Sequence, residues 1–200
     1  LRVVYSTDRQ MPTPTPTPAS TSTPWQDVTF RRGLYDFNDV QDTTLVRWQP
    51  TTNRGAFSLL TLGWRDDFNN PPEDQRVLLR FGLDTIPWSA PVREARLSLF
   101  FQYSSNPHAV SLKVYRMVRR WWEYQTTWQN ASTEGPWARP GADGPELDRL
   151  TDPTITQVIN QPNGWVNVDM IPLVQCWLDD PIQNYGFMLM IESLDAQTAY

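Results

Sequence analysis

Residues 119–128 read RRWWEYQTTW. The stretch sets two guanidinium groups, Arg119 and Arg120, beside the aromatic side chains of Trp121, Trp122 and Tyr124, with Glu123 and Gln125 interleaved. A sugar ring has apolar faces and polar edges, so flat aromatics flanked by hydrogen-bonding groups suit it. A guanidinium adds a bidentate partner for a carboxylate. Arg119, Arg120, Trp122 and Tyr124 are therefore the candidate carbohydrate contacts, and the cations point to an acidic sugar. The same arginines could instead cover the aromatic faces by cation–π contact. Trp121 and Trp128 are expected to pack in or at the edge of a core. Trp25, Trp48, Trp64, Trp88 and Trp137 are more loosely placed and are expected to be exposed.

Other reactive residue types are sparse. The one histidine, His108, lies in the turn-like SSNPHAV, so a nucleophilic triad lacks its base. One histidine and one cysteine do not make a zinc site. Cys176 sits in the apolar LVQCWL and is expected to be a buried, inert thiol, with no intrachain disulfide possible. The carboxylate pairs Asp66-Asp67, Glu73-Asp74 and Asp179-Asp180 have the chemistry for glycoside hydrolysis or for calcium ligation. Each falls in turn-like sequence where adjacent acids mostly solvate a loop, and no EF-hand spacing is present. No phosphate loop or dinucleotide glycine pattern occurs. The expectation is a protein that is not an enzyme and has no catalytic residues, metal ligands or required cofactor; calcium is the one ion its acids suit. The NAS at Asn130 is a formal glycosylation sequon.

The elements that must carry these residues read as strands. TTLVRWQ, FSLLTLGW and RVLLRFGL are short and apolar. REARLSLFFQY alternates, with Ala95, Leu97 and Leu99 opposite Arg96 and Ser98. VSLKVYRM sets Val110, Leu112 and Val114 against Ser111, Lys113 and Tyr115. GWVNVDM sets Trp165 and Asn167 against Val166 and Val168, and YGFMLMIES is a last strand. Such a series of short strands punctuated by turn residues predicts an all-β fold, a jelly-roll-like antiparallel β-sandwich. One segment departs from it. In DMIPLVQCWLDDP, Ile171, Val174, Trp177 and Leu178 recur at helical spacing, with Asp169 as cap and Pro172 in the first turn. One short helix is predicted there.

These stretches resemble the DNRLRE domain, a secreted bacterial and archaeal β-sandwich that overlaps an alginate-binding carbohydrate-binding-module family. The similarity is carried, in order, by DTTLVRWQPTTNRGAFSLLTLGW from Asp42, by RVLLRFGLDTIP from Arg76, and by VREARLSLFF. It continues in the pattern of Trp121, Glu123, Thr127, Trp128 and Asn130, and in GWVNVDMIPLVQCWL followed by NYGFMLM. It covers about residues 26–200. One departure is Ile171, where the family usually has Thr. The resemblance implies a secreted or cell-surface location, in a bacterium or archaeon, and a binding or surface role, but no sugar-site residues.

The start of the chain stands outside that pattern. LRVVYS alternates Leu1, Val3 and Tyr5 against Arg2, Val4 and Ser6, as a strand would. PTPTPTP and ASTSTP follow, a tract that prefers polyproline II and, from Met11 to Pro24, could span roughly 40 Å. The predicted organisation is a strand-like segment at 1–10, a Thr/Pro-rich extended spacer at 11–24 and a sandwich at 25–200. A strand on a long spacer suggests donation to an open sheet edge in a neighbouring copy, and a head-to-tail contact that does not close makes a filament. The function first expected is therefore a non-catalytic extracellular subunit of a pilus-like homopolymer, with Leu1 to Ser6 as the donated strand. The second is a polysaccharide-binding module, for an acidic polymer such as alginate, tethered by the Thr/Pro linker.

Composition bounds the partners. The formal net charge is -5 over 200 residues. Nucleic acid needs a basic stripe and is not expected as a partner. No stretch approaches the roughly 18 apolar residues of a membrane helix. Sixteen arginines accompany a single lysine, Lys113, so a polymer joined through lysine isopeptide bonds would have one residue to use and is not expected. The first residue is Leu1 rather than Met, compatible with removal of a preceding signal segment.

Overall fold

Two antiparallel sheets face each other, and a third layer of loops lies outside one of them. The structure is a computed structural model and describes residues 1–7, 24–65, 73–103, 108–160 and 164–194. The first half of the chain gives β1 (Arg2–Ser6), β2 (Trp25–Thr29), β3 (Val40–Val46), β4 (Gly63–Arg65), β5 (Glu73–Phe81) and β6 (Val92–Phe101). The second half gives β7 (Val110–Arg116), β8 (Asn130–Ser132), β9 (Gly135–Pro136), β10 (Ile155–Ile159), β11 (Gly164–Asp169), the helix α1 (Ile171–Asp179) and β12 (Phe187–Ser193). One sheet runs β11-β6-β1-β2. The other runs β10-β7-β12-β5-β3, with β4 paired to the start of β5. The all-β sandwich expected from the strand pattern is present.

The alternation read from the sequence places the inner faces. Ala95 and Leu97 of β6, Val168 of β11, Val77 and Leu79 of β5, and Leu112 and Val114 of β7 are buried in one cluster between the sheets. α1 closes it with Leu173, Val174, Trp177 and Leu178, and Trp177 stacks on Phe187 with centroids 6.2 Å apart. The N-cap position falls to Met170, with no side-chain cap bond, rather than to the expected Asp169; Asp169, one residue earlier, accepts the Ile171 N–H through Oδ1 at 2.9 Å. Ile171 itself is only half-buried, and Leu173 takes the inward position instead. Cys176 is half-buried rather than buried, and its Sγ accepts a hydrogen bond from Arg116 at 2.9 Å.

The six-stranded sheet is covered on its outer face as well. Leu45, Leu78, Tyr115 and Met188 point outward from it into a second cluster, which residues 117–150 complete with Met117, Trp121, Trp128, Ala131, Trp137 and Ala142. Trp137 is therefore buried, contrary to its expected exposure, and its ring N–H donates to the Thr127 carbonyl at 2.9 Å. The covering lobe is pinned to β5 by Arg76, which pairs with Asp74, donates to the Gly141 carbonyl and lies 5.0 Å from the centre of the Trp128 ring.

The N-terminal strand is paired on both edges within its own chain. β1 lies antiparallel between β2 and β6, from Arg2↔Thr29 to Ser6↔Trp25 on one side and from Arg2↔Arg96 across a bulge to Tyr5↔Val92 on the other. Val3, Val4 and Ser6 are buried. This corrects the expected donation of Leu1 to Ser6 to a neighbour: both rows of backbone hydrogen bonds are already used, and Val3 fills the core of its own sandwich. Residues 8–23, most of the Thr/Pro tract, lie outside the described residues. In the chain they connect β1 to β2, which are neighbours in one sheet.

Candidate functional site

Trp121 and Trp122 are adjacent in the chain and face opposite ways. Trp121 is buried in the outer cluster, and its ring N–H donates to the Tyr185 carbonyl at 2.9 Å. Its neighbour is thereby turned outward, and Trp122 is 39% exposed. The turn that follows is closed by the N–H groups of Gln125 and Thr126 on the Trp122 carbonyl, and by the Thr126 hydroxyl, which accepts from the Trp122 N–H and donates to the Ala131 carbonyl. Thr126 has no exposed surface, so the turn is fastened from beneath.

A distant loop fastens it from the side. Asn53 Nδ2 donates to the carbonyls of Glu123 and Thr126 at 2.8 and 2.7 Å. Gly55 lets the backbones touch: a Cβ there would lie 2.1 Å from the Glu123 carbonyl oxygen. The Glu123 side chain is buried and accepts from Arg32 at 2.7 Å, while Asp42 stands 3.8 Å from the same guanidinium. Burial raises the Asp42 pKa above the usual aspartate value and the Glu123 charge adds to this, while Arg32 opposes it. The Asn, Gly, Glu and Asp positions that carry the resemblance thus build the support of the turn.

Two depressions meet at Trp122. One, of about 320 Å³, is bounded by Arg120, Trp121, Trp122, Gln41, Arg80 and Tyr185, with Pro181, Ile182 and Asn184 at its rim. The other, of about 340 Å³, is lined by Arg119, Arg120, Trp122 and the β8–β9 hairpin around Ser132, Glu134 and Gly135. Arg120 and Trp122 line both, so the two depressions adjoin at these side chains, and together they are called the groove. The guanidinium of Arg120 lies over the Trp122 ring, 4.7 Å from its centre.

The arginines of the groove differ in how far they are neutralised. Arg80 is held by Asp39 at 3.1 Å and donates to the Asn184 carbonyl. Arg119 stands 3.5 Å from Asp148, a fully buried carboxylate that accepts the N–H groups of Ala138, Arg139 and Gly144. Arg120 makes no ion pair among the described residues. The structure thus brings Arg119, Arg120 and Trp122 together. Tyr124 is 66% exposed on the same turn but lines neither depression. Gln41, Arg80 and residues 181–185 escape sequence reasoning, because they come from β3, β5 and a segment after α1 that no local motif links to the turn.

Elsewhere the reactive residues are occupied or apart. Asp74 pairs with Arg76, and Asp179 accepts from Gln175 at 3.0 Å. Asp66, Asp67 and the side chain of Glu73 lie outside what is described. Among the described residues no group of three or more His, Cys, Asp or Glu side chains converges on a point where a metal could sit, and no helix is long and apolar enough to cross a membrane. A second aromatic surface stands on the outer face of the four-stranded sheet, where Phe100 and Trp165 meet edge to face at 5.3 Å and are 59% and 69% exposed. Trp25, Trp48 and Trp88 are exposed, as their loose placement suggests; the Trp64 side chain is outside the described part.

No curated protein and no solved structure matches the chain. A family match covers residues 34–200. It carries the carbohydrate-binding side of the resemblance seen in the sequence; the DNRLRE name is not part of it, and β1 and β2 precede the matched residues. Non-catalytic binding modules make up such a family. From Leu34 to its last residue this chain belongs to Carbohydrate-binding module family 96.

Proposed function

We propose that the protein is a non-catalytic module that binds an acidic polysaccharide, a polyuronate such as alginate, in the groove between Arg119, Arg120 and Trp122. The observation that carries this is Arg120, a cation without an ion pair among the described residues, set on an exposed tryptophan where two depressions meet. A carboxylate on the polymer would supply the missing anion, and the aromatic ring would take the apolar face of the sugar. Such polymers lie outside cells, so the module is assigned a secreted or cell-surface role.

The test is affinity electrophoresis in gels containing alginate. Trp122→Ala and Arg119→Ala should each weaken retardation, the first by about tenfold in Kd, since losing one stacked aromatic or one charged hydrogen bond costs on the order of 1–3 kcal/mol. A Phe100→Ala/Trp165→Ala variant should bind as the parent does. Loss of binding in that variant, with Trp122→Ala unaffected, would move the site to the other sheet and sink the groove reading.

A further inference from the structure

The Arg120–Trp122 contact has two chemically distinct ways of being broken. An exposed cation–π contact is weak. A charge-assisted hydrogen bond from a guanidinium to a carboxylate is stronger. A carboxylate arriving in either depression therefore draws Arg120 away from the ring at a net gain, because Arg120 lines both depressions and has no competing ion pair among the described residues. The ring face that it leaves is then free for the sugar. A neutral sugar offers hydroxyl groups only. It must displace the guanidinium without the compensating charge, or leave that face of the ring covered. Arg119 and Arg80 cannot act in this way, being tied to Asp148 and to Asp39 and the Asn184 carbonyl.

We propose that Arg120 is a displaceable cover on Trp122 that restricts the groove to carboxylated polysaccharides, so that removing it admits neutral ones. This inference rests on the groove reading above. It makes Arg120 the residue that sets charge specificity, beyond adding one more contact. A ligand shifts such an equilibrium only through its different affinity for the covered and uncovered states, which is what the carboxylate supplies.

The test compares one polymer with and without its charges. Polymannuronate and the same preparation after chemical reduction of its carboxyl groups are titrated calorimetrically into the parent protein and into Arg120→Ala, Trp122→Ala and the double variant. The parent should prefer the charged polymer by at least about tenfold. Arg120→Ala should lose about tenfold on the charged polymer and gain measurably on the reduced one, and the double variant should lose that gain. Arg120→Ala binding the reduced polymer no better than the parent overturns the cover. Should Trp122→Ala bind polymannuronate like the parent, or the parent not bind it at all, the groove reading itself falls. Both side chains are solvent-facing, and thermal melts of each variant confirm folding.

Discussion

A single peptide bond separates a residue that holds the fold from one that faces solvent. Trp121→Ala removes a buried ring and leaves the Tyr185 carbonyl without its donor, so it should cost about 3–5 kcal/mol in urea unfolding. Trp122→Ala should stay within about 0.5 kcal/mol of the parent, as changes at exposed positions do. Equal losses in the two would mean that the turn is misplaced. Asp42 gives a second prediction. Its pKa is raised in the folded state, so the stability linked to it is fully present below the unfolded value and is lost as pH rises through the folded one. Asp42→Asn should therefore gain melting temperature relative to the parent between pH 3 and pH 7; a constant difference across that range would contradict the raised value. At this scale the residue types of the groove were legible in RRWWEYQTTW, but not their directions. What turns Trp121 inward is a carbonyl 64 residues away, which no local pattern contains.

At the scale of elements, strand character is local and strand partnership is not. LRVVYS reads as a strand from alternation alone, and it is one. Its partners, residues 25–29 and 92–101, are fixed by which side of Val3 meets the core, and that depends on the assembled sandwich. The donated-strand expectation failed at that step. The prediction is a loss of fold stability: deleting residues 1–7 takes out the strand that links β2 to β6 and removes Val3 and Val4 from burial, a cost of at least about 3 kcal/mol in apolar burial alone. A synthetic peptide of residues 1–7 should raise the melting temperature of the shortened protein by refilling the gap. No destabilisation on deletion would show that β1 is dispensable to the sheet. The helix was read more closely than the strands' pairing, because its proline and its apolar spacing lie within one stretch.

Over the whole molecule the two sheets are unequal. The six-stranded sheet has apolar clusters against both faces, and the four-stranded sheet has one, with charged and aromatic side chains such as Arg96, Phe100 and Trp165 on the other. Double cover explains why VLL at residues 77–79 and FMLMI at 187–191 read as unbroken apolar runs rather than as alternating strands. It also predicts the order of amide hydrogen exchange: β12 and the adjoining parts of β5 and β7 should be slowest, and β2, an exposed edge strand, among the fastest strands. Comparable protection in both sheets would contradict this asymmetry.

The place of β12 has a consequence for how the protein is made. It fits between β5 and β7, both of which leave the ribosome long before it. Until residues 187–193 emerge, the sheet that carries most of the core has a vacant row at its centre, and two apolar edges wait for a strand not yet synthesised. Consolidation of that sheet waits for residues 187–193, so while the residues between β5 and β12 are being made the module carries unpaired apolar edges of the kind that promote aggregation and that chaperones cover.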